Sequence, residues 1–165
     1  VLDPATGAGA IALALASKRP QSQVTAVDIS PAAFAVAQAN SQNRDVKNVQ
    51  FFLSDWFATL QNQIFDVIVS NPPYIKENDS HLSQGDLRFE PANALAAGKE
   101  GLACIREIIS QAKQYLKPQG WLILEHGYDH AEKVAELMKN ASFTSISSVT
   151  DLSGILRVTL CRLIP

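Results

Sequence analysis

The segment Asp66-Val67-Ile68-Val69-Ser70-Asn71-Pro72-Pro73-Tyr74 carries the clearest chemical signal in the chain. An apolar run of strand type ends at Ser70, and two successive prolines follow Asn71. Each proline gives up a backbone donor and stiffens the chain, which a loop that only connects elements does not need. The same stiffness aims the Pro72 carbonyl in a fixed direction. Asn71 adds a side-chain carbonyl and Tyr74 a ring face, so the segment offers two acceptors and a flat surface to a planar –NH2 group. Rigid groups just beyond the carboxyl end of a strand stand where open α/β sheets bind ligands.

A second constellation is Asp3-Pro4-Ala5-Thr6-Gly7-Ala8-Gly9-Ala10, placed between a strand and a helix. Glycines at such a turn let the backbone approach a ligand, and the N–H groups of the helix start favour a negative or polar group. Asp28 ends the next strand, where a carboxylate can accept hydrogen bonds from both ribose hydroxyls of a nucleoside. Gly7-Ala8-Gly9-Ala10-Ile11-Ala12 fits the loose G-x-G-x-x-G/A dinucleotide pattern, a weak signal alone. Asp3 separates the two ligand classes that compete here. A pyrophosphate is repelled by a carboxylate so close to the turn, whereas S-adenosylmethionine is cationic at its sulfonium and brings an amino group for Asp3 to face. Asp3 tilts the reading toward S-adenosylmethionine and leaves a dinucleotide open.

These residues need a scaffold, and the spacing of apolar residues supplies one. Short runs rich in Val, Ile and Phe alternate with Ala- and Leu-rich stretches at helical spacing, the pattern of β-α-β units around a parallel sheet. Strands are predicted at Val1-Leu2-Asp3, 24–29, 49–53, 65–70 and 121–125, and helices at 8–18, 31–42, 101–116 and 131–140. Ser30 before Pro31 is a well-matched helix start, and Pro118 with Gly120 reads as the end of the third helix. Residues 145–149 and 156–161 are joined by a turn and are expected to pair antiparallel. From Asn71 to about Lys99 periodicity is weak, which predicts a long loop of functional type.

The chain has 165 residues, 47% of them apolar and 18% charged, enough for one domain with a packed core. Its 14 Lys and Arg are outnumbered by 16 acids and form no cluster longer than Lys18-Arg19, which argues against a nucleic-acid groove. No apolar run is long enough to span a membrane, and the start has no signal-peptide pattern. Cys104 and Cys161 stand alone without CxxC or HxxxH, so neither disulfides nor a metal site is expected, and a reducing, cytoplasmic compartment fits.

With these residues in view, the chain resembles the S-adenosylmethionine-dependent methyltransferases that modify a nitrogen on a planar group, whose signature is Asn-Pro-Pro-Tyr after a strand. Within that group it is similar to the glutamine-N(5) methyltransferases of peptide chain release factors. The stretches that carry this are Arg88-Phe89-Glu90-Pro91 with Ala94-Leu95, Gly98-Lys99-Glu100-Gly101-Leu102, Leu124-Glu125-His126-Gly127 and Arg157-Val158-Thr159. The resemblance implies a Rossmann-like class I methyltransferase, an α/β fold with a mostly parallel seven-stranded sheet, helices on both faces and an antiparallel C-terminal strand. It implies a cofactor turn at Ala5, Thr6, Gly7, Ala8 and Gly9, with Asp28 on the ribose, Ile29 beside the adenine, and Asp55 and Trp56 along it. Asn71, Pro72, Pro73 and Tyr74 would bind the substrate glutamine, with Asn71 also touching the cofactor, and a release factor would be the partner. Ala5 departs from the glycine usual in similar members, and its methyl is expected to lower cofactor affinity. Tyr128-Asp129-His130 also departs from that pattern, which bears on substrate fit.

Residues 1–165 are thus expected to be one catalytic domain of a longer protein. Its first, central strand is expected to be truncated, and the small helical domain that helps hold the substrate lies outside this chain. Two other functions compete with glutamine methylation. One is methylation of an adenine or guanine amino group flipped into the same pocket, and the other is a non-catalytic nucleotide-binding module.

Overall fold

Over residues 1–75 and 100–164, which the computed structural model describes, the apolar runs are strands and the Ala- and Leu-rich stretches helices. The order is β1 (Leu2–Pro4), α1 (Ala10–Lys18), β2 (Val24–Asp28), α2 (Pro31–Asn43), β3 (Val49–Leu53), β4 (Phe65–Ser70), α3 (Ala103–Ala112), β5 (Leu116–Glu125), α4 (Ala131–Asn140), β6 (Thr144–Thr150) and β7 (Leu156–Arg162). The sheet runs β3-β2-β1-β4-β5-β7-β6. Strands β1 to β5 pair parallel, and β7 is antiparallel to both β5 and β6. The chain moves outward from β1 to β3 and then returns across β1 to place β4 on its other side. That reversal is the topological switch point at which such sheets bind ligands.

Alternation along the strands divides the interior in two, because successive side chains face opposite sides of a sheet. Val24 and Ala26 of β2 pack with Ala12 and Ala16 of α1, and Val1 and Val49 join them. Leu2, Val27, Ile68, Leu122 and Leu124 pack instead with Ile105, Ile108 and Ile109 of α3 and Val134 and Met138 of α4. Helices therefore cover both faces, as the sequence pattern implies. Ser30 caps α2, its Oγ accepting from the Ala33 N–H at 3.3 Å with Pro31 next in line. Cys161 is buried in the larger cluster, and burial pushes its thiol up to about 12, so it behaves as an apolar residue.

Most element boundaries fall within two residues of expectation, and the differences at α1, α3 and β5 have a clear cause. Helix α1 starts at Ala10 and not Ala8, because Gly7 and Gly9 have φ of +55° and +85°, outside the helical region. Helix α3 stops at Ala112 and not Leu116, and β5 begins at Leu116. Pro118 and Gly120 belong to a bulge in β5: Phe65 pairs with Leu116 but Val67 with Trp121, so the residues between are looped out. A bulge tolerates proline, since no ladder bond is asked of it. Gln119 there has φ +64°, its carbonyl accepts from Arg162 Nε at 2.9 Å, and the same guanidinium lies 5.4 Å from the Trp121 ring centre. The central strand β1 is only three residues long. Arg88-Phe89-Glu90-Pro91, Ala94-Leu95, Gly98-Lys99 and most of the expected long loop lie outside the described residues. Among those described, no helix is long and apolar enough to cross a membrane.

Ile68 is fully buried at the centre of β4, while Leu152 is fully exposed. Ile68→Ala should cost about 2–5 kcal/mol in urea denaturation, whereas Leu152→Ala should stay within about 0.5 kcal/mol.

Candidate functional site

The turn after β1 is organised by Asp3, whose side chain is buried. Its Oδ2 accepts from the Thr6 hydroxyl at 2.8 Å and from the Ala12 N–H, inside α1, at 3.1 Å. The Thr6 N–H donates in turn to the Val27 carbonyl at 2.8 Å. The second oxygen, Oδ1, is buried and accepts no hydrogen bond. Burial raises the carboxyl to about 7 despite the two bonds that hold it down, and the nearby charge of Asp28 adds to the rise. A buried acid with an unused acceptor is costly for a structural residue, and it suits a cationic ligand that would ionise it.

Backbone conformation opens the same turn. Ala5 adopts φ +66°, a left-handed geometry that strains any residue with a Cβ. A Cβ added at Gly7 would meet nothing within 4 Å, so that glycine faces open space. At Gly9 a Cβ would lie 3.1 Å from Leu13 Cδ1 and 3.4 Å from Ala37, so Gly9 serves the packing of α1 and α2. Asn40, which the sequence reading missed, reaches from α2 and donates to the Ala8 carbonyl at 3.0 Å. Asn40 sits among the polar residues of the last turns of α2, Gln38, Ser41, Gln42 and Asn43, so nothing local singled it out.

Asp28 has more to do than the sequence reading assigned it. Its Oδ2 accepts from the Gly7 N–H at 2.8 Å and its Oδ1 from the Ser30 N–H at 2.9 Å, which ties the turn to the end of β2. Each carboxylate oxygen retains acceptor capacity for a hydroxyl. Ile29 is 62% exposed and Leu53, the register partner of Asp28, is 48% exposed. Two large apolar side chains flank the carboxylate at the sheet edge, a surface suited to a flat base, and Leu53 was not foreseen. Asp55 is exposed. Trp56 is half-buried against the larger core with φ +46°, so it also has a packing role.

The Asn71 segment leaves from β4, the strand beside β1. The Ser70 hydroxyl donates to the Pro4 carbonyl, binding the two loops at their roots. Asn71 is exposed, Pro72 buried, and Pro73 and Tyr74 half-buried. The Tyr74 hydroxyl donates to Glu125 Oε1 at 3.1 Å, and Tyr74 packs against the larger core. Gly101, with φ +71°, sits so close that an added Cβ would collide with the Tyr74 carbonyl and come 2.9 Å from His130 Cε1. His126 is fully buried between the Gly127 carbonyl (2.9 Å from Nδ1) and Thr159 Oγ1 (2.8 Å from Nε2). A carbonyl only accepts, so Nδ1 carries a proton. His126 thus pins the end of β5.

The structure brings the Asp3–Gly9 turn, Asp28 and Asn71–Tyr74 to one edge at the switch point of a Rossmann-like α/β sheet. A family model described as "Methyltransferase domain" matches residues 1–158, and the chain belongs to that family. It is 47% identical over 165 residues to the release factor glutamine methyltransferase of Salmonella typhimurium (strain LT2), covering 100% of this chain and 60% of that protein. With the protein of the same description from Escherichia coli (strain K12) it shares 48% over 162 residues, or 98% of this chain and 58% of that one. The chain thus spans about three-fifths of the length of these curated relatives. A crystal structure of ribosomal protein L11 methylase from Lactobacillus delbrueckii subsp. bulgaricus has the same fold. Its TM-score is 0.71 at 20% identity, over 98% of this chain and 69% of that one.

Two substitutions test this turn. The Asp3 carboxyl titrates at about 7 when folded against 3.8 as its ordinary value. Its contribution to stability is therefore full below 3.8 and lost as pH rises to about 7. Asp3→Asn keeps an acceptor for Thr6 and Ala12, so it should flatten stability across that window and exceed the parent above pH 7, read by denaturation at several pH values. Ala5→Gly should relieve the left-handed strain and stabilise by about 1 kcal/mol, read as a rise in Tm.

Proposed function

We propose that the chain is the catalytic domain of a cytoplasmic, S-adenosylmethionine-dependent enzyme that methylates the side-chain amide nitrogen of glutamine in a protein. The substrate is the Gly-Gly-Gln glutamine of a peptide chain release factor. The observation that carries this is the anchoring of the Asn71-Pro72 acceptors beside the Asp3 turn, Ser70 holding β4 to Pro4 at the root of both. The names of the curated relatives support the choice of substrate, and the two lone thiols fit a reducing compartment.

The residues of the turn fit the cofactor. The unused Oδ1 of Asp3 suits an ammonium group, the open side of Gly7 leaves room for a ligand, and Asp28 retains acceptor capacity for ribose. Ile29, Leu53, Asp55 and Trp56 would border the adenine, and Ala5, Thr6, Ala8 and Gly9 shape the backbone beneath it. Bound there, S-adenosylmethionine supplies a methyl group on a sulfonium, an electrophile that needs no metal.

An amide nitrogen is a poor nucleophile because its lone pair is delocalised into the carbonyl, so the chain must orient it. The Asn71 side-chain carbonyl and the Pro72 carbonyl accept hydrogen bonds from the –NH2 group, which holds the nitrogen in place and favours lone-pair density on it. Pro73 keeps both acceptors stiff, and the Tyr74 ring packs on the amide plane. Positioning of this kind is worth up to roughly 7–11 kcal/mol in well-oriented systems. The proton released from nitrogen passes to water.

Mass spectrometry after incubation with the cofactor and either a release factor, a Gly-Gly-Gln peptide or an oligonucleotide tests the reading. Methylated glutamine is expected, and a methylated base instead would move the substrate to nucleic acid. Asn71→Ala should lower turnover by about 100-fold or more, with a far smaller change in S-adenosylhomocysteine affinity by calorimetry. Unchanged turnover would remove Asn71 from the site.

A further inference from the structure

We propose that Glu125 is a positioning residue for the Asn71–Tyr74 segment, holding the Tyr74 ring by its hydroxyl and so setting the grip on the substrate amide. This rests on the reading of that segment given above. The contact spans two strands, since Ser70, the last residue of β4, pairs with Leu124 of β5, and Glu125 ends that strand paired with Val158 of β7. The Tyr74 hydroxyl donates to Glu125 Oε1 at 3.1 Å. A half-buried carboxylate is an expensive acceptor for mere packing, but it makes a stronger bond than a neutral group.

Both ends of the contact are held. The Tyr74 backbone is fixed by Gly101, whose left-handed turn leaves no space for a side chain against the Tyr74 carbonyl. Glu125 is followed by His126, whose N–H donates to the Arg157 carbonyl at 2.9 Å and whose ring is locked between Gly127 and Thr159. Burial and the Glu125 charge together push the Tyr74 phenol above its ordinary value, against a smaller opposing effect of Arg157. The phenol therefore stays protonated and donating at neutral pH. Its hydroxyl is committed to Glu125, which leaves the ring face as the part of Tyr74 offered to substrate.

The test compares Glu125→Ala, Glu125→Gln, Tyr74→Phe and the double variant Tyr74→Phe/Glu125→Ala in the intact protein, with a Gly-Gly-Gln peptide as substrate. Each of Glu125→Ala and Tyr74→Phe should lower kcat/KM about 10-fold, chiefly through KM, and the double variant should lose no more than either. Glu125→Gln keeps an acceptor and should recover most of the loss, while S-adenosylhomocysteine affinity stays unchanged throughout. Losses that multiply in the double variant, or that cofactor affinity follows, would overturn the proposal. NMR titration of labelled tyrosine reads the contact without substrate: the Tyr74 phenol should titrate lower in Glu125→Gln than in the parent. An unmoved titration overturns the positioning role, whereas a titration that moves in Glu125→Gln while the parent fails to methylate the peptide overturns the substrate reading instead.

Discussion

The Asp3 carboxyl buried under the turn after β1 is the constraint on which the switch-point edge of the sheet depends. One of its oxygens gathers the Thr6 hydroxyl and the Ala12 N–H, so the strand end, the turn and the first helical turn are held by a single acceptor. The other oxygen is buried without a bond. The carboxyl is set there by β1, which lies at the centre of the sheet with β2 and β4 on either side. A residue kept at such a cost to stability is the kind found at functional sites, where stability and activity trade against one another.

From Asp3 the organisation spreads sideways. Asp28 reaches back from the neighbouring strand to the Gly7 N–H, and Ser70 reaches across from the other side to the Pro4 carbonyl. The three strands at the switch point are thereby joined by side chains as well as by their ladders. The glycine turn and the Asn71 segment thus share a hydrogen-bonded root, the kind of tie that reactions dependent on orientation need. Further along the same edge, the Tyr74 to Glu125 bond extends the network to β5.

Much of this was legible in the residues. The alternation of strand and helix runs, the Ser30-Pro31 helix start and the antiparallel final pair follow from periodicity and local stereochemistry, which neighbours in sequence impose. The two motif segments were legible for the same reason, since Gly7, Gly9, Pro72 and Pro73 restrict the backbone by themselves. Where local rules gave the wrong boundary, a longer-range interaction had won. Pro118 and Gly120 look like a helix stop, yet pairing of Leu116 with Phe65 across the sheet draws that stretch into β5 and turns it into a bulge.

The sequence by itself therefore determined the α/β class, the order of elements and which two segments carry the glycine and proline motifs, because each is written in residues close together in the chain. Tertiary structure alone decided that β1 and β4 are neighbours, that Leu53 stands beside Asp28, and that Asn40 closes on Ala8. It also decided that Asp3 is held near neutrality and that Glu125 takes the Tyr74 hydroxyl. Burial and hydrogen-bond partners depend on which distant strands the sheet places side by side, and no local pattern encodes that.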